Sequence, residues 1–134
     1  MTLTEQMIAT YPGTRDVEPG PLARCIDDCL SCAGTCVACA DACLAEESVA
    51  HLRRCITLCL GCADICETTM RIASRATGTD RALLKDVVET CAASCAVCGA
   101  ECEEHARMGM KHCAVCAESC RACEASCRAL SAVL

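Results

Sequence analysis

The chain has 134 residues, a formal net charge of −6 and 19 cysteines, with one tyrosine and neither phenylalanine nor tryptophan. Its length suits a single domain. The acidic balance argues against nucleic acid as a partner, and no uninterrupted apolar run reaches the ~18 residues of a membrane span.

The opening stretch, MTLTEQMIATYPGTRDVEPG, spaces Leu3, Met7 and Tyr11 four apart and predicts a short helix over residues 2–11. It shows no basic segment followed by an apolar one, so the expectation is a cytoplasmic protein whose thiols stay reduced. Pro12, Gly13, Pro19, Gly20 and Pro21 mark a loop, which sets residues 1–20 apart from a body of residues 21–134.

From Pro21 to Ala45 a long helix is predicted. Cys25, Cys29, Cys32, Cys36, Cys39 and Cys43 alternate between spacings of four and three, which keeps every sulfur on one helical face. Arg24, Asp27, Asp28, Ser31 and Thr35 lie opposite. Ser48 is the expected N-cap of a second long helix with Cys55, Cys59, Cys62 and Cys66, fading near Gly78. Thr79 or Asp80 caps a third, with Cys91, Cys95, Cys98 and Cys102. Gly109 interrupts the pattern before a fourth, with Cys113, Cys116, Cys120, Cys123 and Cys127.

Each long helix therefore carries one C-x3-C-x2-C-x3-C unit. Short connections make neighbouring helices antiparallel. The expected fold is all-α: an up-down-up-down four-helix bundle preceded by a short N-terminal helix. Protonated cysteine packs as a small apolar residue, so thiols can fill a core that lacks aromatics.

The placement of the cysteines within helical faces, their odd number and the absent signal argue against a disulfide framework. Thiolates three or four apart on a helix can instead clasp a soft metal. Four thiolates around Zn²⁺ bury two negative charges, which is costly. A monovalent ion matched with one thiolate leaves the interior nearly neutral, which selects Cu(I) with a capacity on the order of twenty ions per chain. Zinc buffering of the metallothionein kind remains open on ligand type. So does an iron–sulfur or thiol redox carrier, although no cysteine set brackets a cluster and no activated thiol stands at a helix start. No catalytic carboxylate–histidine–nucleophile set stands out, so an enzyme is not expected.

These repeated units, together with HCAVCAESCRACEASC near the C-terminus, resemble the cytosolic branch of the bacterial copper storage proteins. The resemblance covers residues 21–134 and implies a Cys-lined bundle that holds many Cu(I) ions and assembles as a homotetramer.

Antiparallel topology also gives the bundle two unlike ends. His51, His105, Met110 and His112 continue the cysteine stripes at one end and, with Met108 in the same turn, form a candidate mouth, His105 and His112 being the stronger candidates as ligands. Leu22, Met70, Leu84, Val88, Leu130 and Leu134 continue them at the other as a hydrocarbon plug. Glu46 and Glu47 read as a solvated turn that adds negative potential near the mouth. Ile26, Leu30, Ala33, Val37, Ala40 and Leu44, with Leu52, Ile56, Leu60 and Ala63, follow the cysteine stripes by one residue. They serve helix–helix seams, and their excess on the first two long helices suggests an oligomer face.

Overall fold

A computed structural model describes residues 1–75 and 78–134. Five α-helices appear in order among them: α1 (Leu3–Ala9), α2 (Pro19–Ala45), α3 (Arg53–Ser74), α4 (Arg81–Arg107) and α5 (Lys111–Ala132). A 3-10 turn, Val49–His51, stands between α2 and α3. The four long helices form the antiparallel bundle, in which α2 packs on α3 and α5, and α4 packs on the same two.

Helix starts follow local chemistry. Thr2 closes α1 with a reciprocal capping box to Glu5. Helix α2 begins two residues before Pro21, with Pro19 also in its first turn, where a missing N–H costs nothing. Asp80 accepts from the Leu83 amide at 2.9 Å and caps α4; Thr79 does not serve. Gly109 takes φ 93° in the sharp connection from α4 to α5, a conformation that side chains resist.

Ser48 does not cap α3, and that expectation is corrected. It precedes the 3-10 turn and makes no side-chain capping bond, while Leu52 occupies the cap position of α3. Burial decides the boundary: Leu52 is fully enclosed, and backbone bonds from His51 N to Ser48 O (2.8 Å) and Leu52 N to Val49 O (3.0 Å) hold the turn that inserts it.

Every cysteine faces the bundle axis. All nineteen are free and buried, none more than 2% exposed. At one end the core passes into hydrocarbon, with Leu22, Leu84, Val88 and Leu130 enclosed and Met70 and Leu134 packed half-buried against them. Arg81 ties this end together by donating to the Val133 carbonyl at 2.7 Å and to the Asp16 carbonyl. Helix α1 lies against α2, where Thr4 donates to Asp27 at 2.5 Å.

The stripe one residue behind the cysteines divides in two. Ile26, Ala33, Ala40, Leu52 and Ala63 are buried in seams and Ile56 is half-buried, whereas Leu30, Val37, Leu44 and Leu60 stand 45–61% exposed. Helix α2 is long and apolar enough to cross a membrane, with an 18-residue window of mean hydropathy 1.4. This differs from the reading by uninterrupted runs because cysteine and alanine raise the mean, and those cysteines are consumed by packing inside the bundle.

Candidate metal centre

Cysteine is short, so four helices lined with it draw close enough for sulfurs to touch across the axis as well as along its walls. Along one wall, α2 meets α5 through Cys25–Cys127 (3.8 Å), Cys29–Cys123 (3.6 Å), Cys36–Cys120 (3.8 Å) and Cys39–Cys113 (3.9 Å). Along the opposite wall, α3 meets α4 through Cys55–Cys102 (3.9 Å), Cys62–Cys95 (3.8 Å) and Cys66–Cys91 (3.7 Å). Diagonal pairs close the space between walls: Cys29–Cys91 (3.8 Å), Cys59–Cys116 (3.9 Å) and Cys66–Cys123 (3.9 Å). Within single helices, Cys25–Cys29, Cys32–Cys36 and Cys62–Cys66 stand 3.7–4.0 Å apart, as four-residue spacing dictates.

Ligand groups therefore overlap. Cys32, Cys62, Cys66 and Cys95 lie within 4.8 Å of one another, as do Cys32, Cys36, Cys62 and Cys120, and then Cys36, Cys98, Cys116 and Cys120. Each of these three shares two sulfurs with the next, while Cys29, Cys91, Cys123 and Cys127 form a further group with sulfurs of its own. Such spacing suits a tetrahedral ion at any one group, but the groups cannot all be filled as separate tetrahedra because they compete for the same cysteines. Bridging thiolates around a soft monovalent ion use the array without that conflict.

The candidate mouth is more closed than the sequence suggests. Leu52 is fully buried there beside the cysteines, a role its place in the seam stripe did not show. His112 lies half-buried with Nδ1 at 3.4 Å from Cys39 Sγ and 3.6 Å from Cys113 Sγ, and it forms one ligand group with Cys39, Cys43 and Cys113. His105 is 7% exposed, and its Nδ1 is buried without a hydrogen-bond partner among the described residues. Met110 is half-buried against the core, Met108 is exposed, and His51 is exposed on the 3-10 turn.

Two carboxylates engage the histidines at this end: Glu101, which sequence reasoning did not assign to it, and Glu46, placed near it only as a source of negative potential. Glu46, read as a solvated turn, accepts from His112 Nε2 at 3.0 Å. Glu101 accepts from His105 Nε2 at 3.0 Å through one oxygen and from Arg54 at 3.1 Å through the other. Four-residue spacing from Glu101 to His105 was available as a signal; the approach of Glu46 to residue 112 is purely tertiary.

Thiol acidity follows these surroundings. Burial, reinforced by the neighbouring Cys39, pushes the Cys43 thiol up to about 11, and Cys113 is raised for the same reasons. Burial works against charge on His112, but hydrogen bonds to Cys39 and Glu46 outweigh it, so the imidazole titrates above its ordinary value.

A family profile described as copper storage protein matches residues 19–132. Among solved structures, the copper storage protein Ccsp from Streptomyces lividans, loaded with 10 copper equivalents, is 47% identical with a TM-score of 0.94, over 98% of this chain and 99% of that one. A structure of the cytosolic copper storage protein from the same organism with five coppers is 51% identical with a TM-score of 0.83, over 85% of this chain and 94% of that one. The Cu(I)-bound copper storage protein BsCsp3 is 36% identical with a TM-score of 0.68, over 80% and 94% of the two chains. No curated protein matches the chain. The thiol-lined bundle, the repeated cysteine units and a profile spanning all four long helices converge: this chain belongs to the copper storage protein family.

Proposed function

We propose that the protein stores Cu(I) in the cytosol, on the order of twenty ions per chain on thiolates along the bundle axis, and withholds it from the cell's other ligands. The observation that carries this reading is the continuous array of buried sulfurs, whose central ligand groups share cysteines. Shared ligands give a chain of bridged monovalent ions rather than a few isolated sites. Family membership and the copper-loaded relatives support the choice of metal.

Uptake proceeds through the histidine end. Since no cysteine is more than 2% exposed, an ion arriving from solvent first meets another ligand. His112 combines partial exposure with contact to two core sulfurs, Met110 lies half-buried beside it in sequence, and His105 lies deeper. His51 and Met108, being exposed, act as outer collectors. The functional unit is a homotetramer formed through the exposed Leu30, Val37, Leu44 and Leu60 face. The proposed role is binding, with no catalytic step.

Anaerobic titration of the apo-protein with Cu(I), in competition with Zn²⁺, tests the function. Saturation near the count of 19 cysteines is expected. Saturation at about four to five zinc ions, with copper excluded, would establish tetrahedral buffering instead. Acid-labile sulfide in the purified protein would point to an iron–sulfur role.

A further inference from the structure

Two histidines at the mouth are held in the same manner by different means. His112, at the start of α5, is held across the bundle by Glu46 at the end of α2. His105, in the last turn of α4, is held by Glu101 one turn earlier on the same helix. In both cases Nε2 engages a carboxylate oxygen at 3.0 Å. A carboxylate accepts and does not donate, so the proton of each neutral ring resides on Nε2. Nδ1 is then the atom left with a lone pair. On His112 it faces Cys39 and Cys113; on His105 it is buried with no partner among the described residues.

An unpartnered ring nitrogen inside a protein is costly unless something is to occupy it. Arg54 engages the second oxygen of Glu101, so that carboxylate is itself fixed. The two pairs serve opposite walls of the tube. Cys39 and Cys113 bring α2 to α5, whereas Cys102, three residues before His105, contacts Cys55 and Cys59 of α3.

We propose that Glu46 and Glu101 are positioning residues for copper uptake. Each locks its histidine as the Nε2–H tautomer and turns Nδ1 toward an arriving Cu(I) ion, so that each wall of the tube has its own inlet. This rests on the storage reading above. The carboxylates themselves need not touch the metal.

The test pairs a spectroscopic readout that needs no copper with a kinetic one that does. In apo-protein carrying ¹⁵N-labelled histidine, at a pH where both rings are neutral, His105 and His112 show the Nε2–H signature. Glu46→Ala converts His112 to a mixture of tautomers, and Glu101→Ala does the same for His105. Glu46→Gln and Glu101→Gln preserve the tautomer, because an amide oxygen still accepts from N–H. Uptake of Cu(I) from a chromogenic chelator slows at least fivefold in the double alanine variant and recovers in the double glutamine variant, with final capacity unchanged.

Unchanged tautomers in the alanine variants overturn the proposal. So does slow uptake in a glutamine variant whose tautomers are preserved, since negative charge rather than ring orientation would then be the cause. Circular dichroism of every apo variant separates misfolding from either effect, and single glutamine variants report each pair if an alanine variant unfolds. Failure of the wild-type chain to take up Cu(I) overturns the storage reading, and the tautomer measurement still decides whether the carboxylates orient the rings.

Discussion

Cys43 illustrates how one side chain couples protons to the fold. Burial raises its thiol from 9.0 to about 11, so the folded chain binds this proton more tightly than the unfolded chain does. The stability this contributes is complete below the ordinary value and is lost as pH climbs through about 11. Thermal melts of apo-protein should therefore fall more steeply between pH 9 and 11 than those of Cys43→Ala, and parallel profiles would contradict the assignment. Copper-loaded protein should lack this extra loss, because its thiols have already surrendered their protons. The position of every sulfur was legible in the sequence, since a spacing of four and three on a helix admits one face only. The partners of His112 were not: the approach of Glu46 depends on where α2 ends relative to α5, and no local spacing encodes it.

Among elements, the long helices were legible because the cysteine period marks their buried faces throughout. Their ends were less so, as Pro19 and Ser48 show. A capping-type residue was present at position 48, but enclosing Leu52 moved the start of α3 to Arg53. Where packing does not compete, the local rule holds, as at Asp80. Asp80→Ala should cost about 1 kcal/mol in chemical denaturation of the apo-protein, and an unchanged midpoint would show that α4 is anchored by its neighbours alone. Leu130→Ala, at the hydrocarbon end, removes a fully enclosed side chain and should cost ~2–5 kcal/mol. Because it lies beyond the last cysteine, Cys127, it should leave copper capacity intact; a parallel loss of capacity would show that the plug also shapes the thiol array.

For the whole molecule, the stripe behind the cysteines carried two meanings that the sequence could not separate. Periodicity places Ile26 and Leu30 on related faces, yet only the packed bundle shows that the first lies in a seam and the second faces outward. Leu30→Glu combined with Leu60→Glu should reduce the proposed tetramer to smaller species by sedimentation while leaving helical content unchanged. A wild-type assembly mass in that variant would place the contact elsewhere.

The sharing of sulfurs between successive ligand groups has a consequence for order in time. A copper ion can pass from one group to the next while two of its ligands stay in place, as from Cys32 and Cys62 in one group to the same pair in the next. Ions held in such shared groups should advance by stepwise exchange without overtaking one another. With the proposed inlets at one end and hydrocarbon at the other, the store should behave as a stack: the last ion admitted is the first withdrawn. Loading in sequence with two stable copper isotopes, then removing part of the metal, should return the second isotope first, whereas a mixed return would mean that ions change places inside the tube.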